Sequence, residues 1–178
     1  MKVFLSLLVI LALTGCLESR KSLPSSGIPT PQKSQIRDFV GSYENLAIDQ
    51  TTRYQTPLSQ ILIGYFAPDM DDIDSVVFSI SESDDLIITC MLDGKERFKK
   101  VYPKSSYGFD GENIILGAGA YSADPASMSR GKQSYGNSLY LTAEKSIVFH
   151  SNSSFRGMAY GFIPAANSTE TISVWKRK

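Results

Sequence analysis

From residue 75 onward, short runs of alternating apolar and polar residues limit the possible fold more than any other feature. Apolar side chains occupy every other position in residues 75–81 and again in residues 86–92. Successive side chains of a strand point to opposite sides of a sheet, so this period of two predicts strands with one buried face. The dipeptides Asp93-Gly94 and Asp110-Gly111 interrupt the pattern and are typical of tight β-hairpin turns.

The runs between turn residues predict nine or ten short strands in hairpin order and therefore a mainly β domain. After residue 92, strands are expected at 96–102, 107–109, 112–116, 139–143, 147–150, 155–163 and 169–175. Residues 117–136, rich in Gly, Ala and Ser, are expected to form a long connection, and residues 151–154 a turn. Open strand edges promote aggregation, so the pattern favours an antiparallel up-and-down barrel or a two-sheet sandwich.

One short helix is expected before most of the strands, near residues 57–66. Thr56 can cap this helix, and Pro57 suits its first position. The apolar face, with spacing i, i+3, i+4 and i+7, consists of Leu58, Ile61, Leu62 and Tyr65. The helix is therefore expected to bury one side, and it could serve as a lid over a ligand.

The predicted first strand contains Gly41-Ser42-Tyr43. This tripeptide is similar to the Gly-x-Trp opening of lipocalin-like barrels, with Tyr43 in place of the tryptophan. No other lipocalin motif is found in the chain. The resemblance covers three residues and implies a lipocalin-like barrel with an apolar interior.

The N-terminus carries a different signal. Lys2 precedes an apolar run at residues 3–13, and the run ends in Leu13-Thr14-Gly15-Cys16. A helix of this length spans about 17 Å, short of a hydrocarbon core of about 30 Å, so the run indicates a signal peptide and not a membrane span. All four closing residues match the lipobox, so this segment resembles that of bacterial lipoproteins.

The lipoprotein resemblance implies a diacylglycerol on the sulfur of Cys16, cleavage before this residue, and acylation of the new amino group, as with palmitate. Leu17 takes the place of the aspartate that retains some lipoproteins in the inner membrane, which in enteric-type bacteria is typical of the outer membrane. The expected organisation is a signal peptide (1–15), a lipidated flexible tether (16–35) and a single β-rich domain (36–178). The expected location is the bacterial cell envelope, at the outer membrane and facing the periplasm. A plain signal peptide with an incidental cysteine is the alternative.

The charge balance bears on possible partners. The chain has 18 basic and 18 acidic residues, and removal of residues 1–15 takes away only Lys2, which leaves 17 against 18. A nearly neutral domain has no electrostatic attraction for the nucleic-acid backbone, so no nucleic-acid partner is expected. The expected partners are the membrane, through the lipid anchor, and a small apolar ligand or an envelope protein.

No catalytic, metal or cofactor site is predicted. Cys90 lies in an apolar run and is expected to be an inert core residue, and the only histidine, His150, is distant in sequence. The acidic stretch 69–74 lacks the oxygen ligand at the fifth position and the glycine at the sixth that an EF-hand needs, which leaves a calcium site of another type as the alternative. The chain is therefore not expected to be an enzyme.

Two functions are open on the sequence alone. The first is a binding module for a small apolar or amphipathic ligand, held in a barrel interior or in the groove under the helix. The side chains expected to line that site are Phe66, Met91, Met158, Tyr160 and Phe162. The alternative is a structural or protein-interaction component of the cell envelope without a ligand cavity, with residues 117–136 as its partner-binding surface.

Overall fold

The computed structural model describes residues 29–50, 56–64, 72–122, 129–159 and 163–178. Ten strands and one α-helix lie within these ranges. In chain order they are β1 (Gly41–Glu44), β2 (Asp49–Gln50), α1 (Leu58–Ile63), β3 (Ser75–Ile80), β4 (Leu86–Leu92), β5 (Lys95–Tyr102), β6 (Gly108–Phe109), β7 (Asn113–Ser122), β8 (Ser129–Leu141), β9 (Ile147–Ala159) and β10 (Ile163–Trp175). The predictions of a mainly β fold and of one short helix near residues 57–66 are confirmed.

Strands β1, β3, β4 and β5 form an antiparallel sheet in that order. The predicted hairpin between β4 and β5 is confirmed, because Asp93 and Gly94 both have positive φ (51° and 71°), as a type I′ turn requires. Phe78 of β3 pairs with Ile88 of β4, and both side chains are buried. The alternation seen in the sequence therefore marks one buried face of this sheet.

The other six strands form a second sheet in the order β2-β10-β9-β8-β7-β6. The predicted hairpin at Asp110-Gly111 is confirmed, and Phe109 of β6 pairs with Ile114 of β7. The carboxylate of Asp110 accepts the backbone N–H of Asn113 at 2.7 Å and that of Glu112 at 2.9 Å. These hydrogen bonds, that of Asn113 first, lower the pKa of Asp110 because they stabilise the charged form.

Two predictions of non-strand segments are wrong. Most of the expected connection at residues 117–136 belongs to β7 and β8, with residues 123–128 outside the described part, and the expected turn at 151–154 lies inside β9. Glycine, alanine and serine dominate these segments, and such residues give no period-two signal. Backbone pairing with neighbouring strands holds the extended conformation there without any apolar face.

The two sheets are joined at one corner, where the C-terminal residues run antiparallel to the first strands. Val174 pairs with Asp49 of β2, and Arg177 forms a bridge with Tyr43 of β1. The Arg177 guanidinium also lies 6.0 Å from the centre of the Tyr43 ring and donates to the carbonyl of Val40. The C-terminal residues therefore pair with β2 in the six-stranded sheet and, a few residues later, with β1 in the four-stranded sheet.

The opposite edges of the sheets stay apart, so the prediction of a lipocalin-like closed barrel is wrong. Within the described residues, β5 ends the four-stranded sheet and the two-residue β6 ends the other. A 3₁₀ turn at Lys104–Ser106 separates β5 from β6 and prevents the continuous pairing that closure needs. The arrangement of two antiparallel sheets is consistent with the sandwich alternative.

Both sheets contribute to one hydrophobic core. The four-stranded sheet supplies Tyr43, Phe78 and Ile88, and the six-stranded sheet supplies Leu139 and Trp175. The exposed fraction of each of these side chains is at most 1%. Removal of this apolar surface from water, at about 25 cal/mol per Å², is the main term that favours the folded state.

Residue contacts divide the chain into two units. We call the described part of the larger unit, residues 29–50, 56–64, 72–118, 136–151 and 171–178, the body. We call the described part of the smaller one, residues 119–122, 129–135, 152–159 and 163–170, the extension. All the helical and core features above belong to the body.

The last seven residues of the predicted tether are attached to the body. The backbone N–H of Gln32 donates to the carbonyl of Leu141 at 3.1 Å, and that of Ser34 to the carbonyl of Gly111 at 2.9 Å. Residues 1–28, which include the predicted signal peptide and Cys16, lie outside the described part. In the ranges that the structure describes, α1 is too short to cross a bilayer, and no other helix is long and apolar enough to do so.

Candidate functional site

Helix α1 begins against the corner that joins the two sheets. Asn45, whose exposed fraction is 2%, accepts the N–H of Leu58 with its backbone carbonyl and the N–H of Ser59 with Oδ1, each at 2.9 Å. The indole N–H of Trp175 donates to the same carbonyl at 3.1 Å. The N-cap position is occupied by Pro57 and not by Thr56 as expected, and the first N–H groups of the helix are satisfied by Asn45, from outside the helix.

The other end of α1 is fixed by the four-stranded sheet. Lys100 of β5 donates from Nζ to the carbonyls of Leu62 at 2.9 Å and Ile63 at 3.3 Å. Tyr102 donates its hydroxyl to the Leu62 carbonyl as well. A cation at the C-terminal end also compensates the partial negative charge of the last carbonyls. This short helix is therefore held in place by side chains of other elements at both ends.

The inner face of the six-stranded sheet changes character along its strands. Near the β8–β9 turn it is apolar, with Leu141, Ile147 and Trp175 in the core. Four residues farther along the same alternation, beyond Leu139, Phe149 and Ser173, come the polar residues Asn137, Ser151 and Thr171. The core therefore ends within the body, at a row of hydroxyl and amide groups.

A pocket lies where this polar row meets α1. Its volume is about 410 Å³, and it is lined by Thr56, Ile61, Asn137, Phe149, Ser151, Thr171 and Ser173. Ile61 and Phe149 are half-buried and pack against the core from the two sides. We call it the helix pocket. Ile61 of α1 forms part of its lining, and its described walls offer both an apolar surface and neutral hydrogen-bonding groups.

None of the side chains proposed from the sequence as ligand contacts lines the helix pocket within the described residues. Met91 is half-buried in β4, and Met158 lies in the extension with an exposed fraction of 39%. Phe66, Tyr160 and Phe162 lie outside the described residues, as does Cys16. The described lining instead combines Thr56 and Ile61, expected only as parts of the helix, with strand residues; in the sequence, the only signal for Asn137, Ser151 and Thr171 is a buried face that becomes polar.

The outer face of the six-stranded sheet has a small apolar cluster of its own, formed by Tyr140, Val148, Ile172 and Val174. The hydroxyl of Tyr140 donates to the carbonyl of Pro29 at 2.9 Å. Pro29, Val174 and the half-exposed Ile48 line an open hollow of about 420 Å³ beside this cluster. The N-terminal segment of the described chain thus crosses the outer face and covers part of its apolar surface.

Cys90 and His150 do not form a reactive pair. Cys90 is fully buried in β4, and burial raises the pKa of its thiol to about 11, so the thiol is protonated and inert at neutral pH. His150 is half-buried in β9, on the side of the sheet opposite to the helix pocket. Among the described residues, no group of three or more His, Cys, Asp or Glu side chains is placed to hold a metal ion.

Among the described residues, the helix pocket combines a small-molecule volume with apolar and hydrogen-bonding side chains. Comparisons of the chain with protein-family models, with curated proteins and with solved structures give no match.

Proposed function

We propose that this protein is a lipoprotein of the bacterial cell envelope, anchored by acyl chains on Cys16, and that its body binds a small apolar or amphipathic ligand in the helix pocket. The observation that carries the ligand proposal is the pocket itself. Its volume of about 410 Å³ falls in the range of small-molecule sites. Ile61 and Phe149 offer an apolar contact, and the polar row of β8, β9 and β10 offers hydrogen-bonding groups that would orient the ligand.

The attachment of residues 29–35 to the body limits the length of the proposed tether. Residues 16–28 would form the free tether, and thirteen extended residues reach about 40 Å. This length lets the body stand clear of a membrane surface at the outer membrane, on the periplasmic side. For the fold, we infer a two-sheet sandwich, since both sheets face one core and their far edges are unjoined.

The alternative function, a protein-interaction component, is favoured by the extension. None of its described side chains is buried, and Tyr135 and Met158 have exposed fractions of 43% and 39%. Sheets ordinarily bury at least one face. A partner protein that covers the extension would supply that burial. The two functions can coexist, but they predict different results for a pocket variant.

The anchor is tested by metabolic labelling with palmitate. We expect label on the wild-type protein and none on Cys16→Ser, because the sulfur is the site of lipid attachment. An unlabelled wild-type protein, or a mature chain that keeps residues 1–15, would remove the anchor from the proposal. The ligand site does not depend on this result.

The ligand site is tested with Ser151→Phe, which places a ring in the helix pocket, and Asn152→Phe as the control. The control residue is the exposed neighbour on the same strand, on its other side. Each protein is extracted from membranes in polymer nanodiscs, without detergent, and the associated small molecules are compared by mass spectrometry. We expect a species that is present in wild type and in the control and reduced about tenfold or more in Ser151→Phe. Identical profiles in all three would favour the interaction alternative.

A further inference from the structure

The polar side chains that line the helix pocket are neutral in the part of the chain that the structure describes. Five of the seven described lining residues are hydroxyl or amide residues, namely Thr56, Asn137, Ser151, Thr171 and Ser173. The other two are Ile61 and Phe149, so none of the described lining residues carries a charge. Lys100 contacts the same helix, but its Nζ donates hydrogen bonds to the Leu62 and Ile63 carbonyls, and this residue is not part of the described lining.

A charged ligand group would be poorly stabilised against such a wall. Transfer of a carboxylate, phosphate or ammonium group out of water is unfavourable unless an opposite charge compensates for the lost hydration. Neutral hydroxyl and amide groups can instead compensate for the lost hydration of uncharged polar groups, because hydroxyl and amide groups both donate and accept hydrogen bonds. Ligand hydroxyl groups have the same double capacity.

The apolar part of the lining complements this wall. Phe149 lies on β9 two residues before Ser151, on the same face of the strand, and Ile61 faces the pocket from α1. An aromatic ring beside hydroxyl and amide groups suits a molecule with C–H surfaces next to hydroxyl groups. A sugar ring has this combination, and an attached alkyl chain would extend the apolar contact.

We propose that the helix pocket takes an uncharged, hydroxyl-rich head group of the saccharide type, with the apolar portion of the ligand against Ile61 and Phe149. The proposal rests on the proposed ligand-binding function and narrows it to one chemical class. Two sources offer this chemistry, a free sugar and the head of a glycolipid. Against the described lining, the same argument disfavours fatty acids, phospholipids and cationic amphiphiles as ligands.

The test uses ligands that share a hexyl chain and differ in the head group: hexyl β-glucoside, hexanoate, hexyltrimethylammonium and 1-hexanol. Methyl β-glucoside supplies the head alone. Binding to the acylated mature protein in lipid nanodiscs is measured by saturation-transfer NMR, with empty nanodiscs as the blank. We expect hexyl glucoside to bind about tenfold or more tightly than either charged analogue.

The outcomes separate the two levels of the proposal. If a charged analogue binds as tightly as the glucoside, the head-group inference is overturned while ligand binding stands. If no member of the series binds, both the inference and the pocket as a ligand site fail. If methyl glucoside matches hexyl glucoside, the inference holds with a free sugar as the source, whereas a much weaker methyl glucoside supports a glycolipid.

Two nearly isosteric variants test whether a hydroxyl of the pocket lining binds the head group. Thr171→Val removes one hydroxyl from the pocket lining, and Thr169→Val removes an exposed hydroxyl from the same strand. We expect hexyl glucoside to bind about five- to tenfold more weakly to Thr171→Val, with hexanol binding and the Thr169→Val protein unchanged. Equal weakening of hexanol would indicate a general disturbance of the pocket and would count against head-group recognition, and Ser151→Ala provides an independent repeat.

Discussion

The body and the extension use the same strands but not the same source of stability. Strand β9 begins in the body with Ile147 and Val148, both fully buried, and ends in the extension with the exposed residues Arg156 and Met158. In the described chain, every buried apolar side chain belongs to the body. The comparison shows that strands of this protein form both with and without a hydrophobic core beside them.

Small residues take the place of a core in the extension. A Cβ atom added to Gly131 would lie 2.3 Å from the carbonyl oxygen of Arg156, and one added to Gly119 would lie 2.9 Å from the Tyr135 hydroxyl. The backbone of β9 therefore approaches closely at Gly131, and the Tyr135 side chain packs over Gly119. Pairing of backbone groups, and not burial of side chains, keeps these residues extended.

The largest effect on the free energy of unfolding is expected when an aromatic residue of the body is replaced, compared with one of the extension. Trp175→Ala removes a fully buried ring and its hydrogen bond to Asn45, so we expect a loss of about 3–5 kcal/mol in the free energy of unfolding. Tyr135→Ala removes a ring with an exposed fraction of 43%, and we expect less than about 1 kcal/mol. Urea denaturation followed by far-ultraviolet circular dichroism measures both, since Trp175 is the only tryptophan.

The difference between these two variants tests whether the body is more important for stability than the extension. Similar losses for Trp175→Ala and Tyr135→Ala would mean that the extension stabilises the chain as much as the body does. A separate early transition in the wild-type protein, abolished by neither variant, would instead mark the extension as an independent unfolding unit.

The same distinction explains what could be predicted from the sequence. In the body, a buried face forces apolar residues into every second position, so β3, β4 and the hairpin at Asp93-Gly94 were predictable. In the extension no described side chain is buried, and the strand character of residues 119–122 and 129–135 left no trace in the pattern, although a strand was expected at residues 155–163. The resemblance of Gly41-Ser42-Tyr43 to a barrel opening gave no information on how the far edges of the sheets end.

The ligand site remains a prediction, but the structure shows which part of its description a sequence can supply. A groove beside α1 is expected from the amphipathic face of the helix, whereas the lining of the helix pocket depends on which strand positions continue the buried face. Met91 and Met158 do not line this pocket, and large apolar side chains are typical of a core as well as of a site; Phe66 lies outside the described residues. The cap by Asn45 is a contact between residues 14 apart, which local capping rules cannot show.

A medium effect is expected at that cap. Asn45→Ala leaves the N–H of Ser59 without its acceptor in a buried setting, so we expect a loss of about 1–3 kcal/mol in the free energy of unfolding. Asn167→Ala, at an exposed position of the extension, is the matched control and should change the free energy by about 0.5 kcal/mol or less. Chemical denaturation measures both, and hydrogen exchange at residues 58–63 should accelerate only in Asn45→Ala. Equal exchange in both variants would show that α1 does not depend on Asn45.

The smallest effect is absent at neutral pH and appears only in alkali, and it too should arise in the body. Burial raises the pKa of Cys90 from its ordinary value of 9.0 to about 11, and burial raises the pKa of Tyr43 from 10.0 to about 12 against an opposing effect of Arg177. Between the ordinary and the raised values the unfolded chain has released protons that the folded chain retains, so the free energy of unfolding falls as the pH rises. We expect the fall to begin near pH 9 with Cys90 and to steepen near pH 10 with Tyr43. Cys90→Ala should flatten the first part and Tyr43→Phe the second, as measured by urea titrations across this range. A slope that neither substitution changes would place the alkaline loss outside the buried groups of the body and would weaken the contrast with the extension.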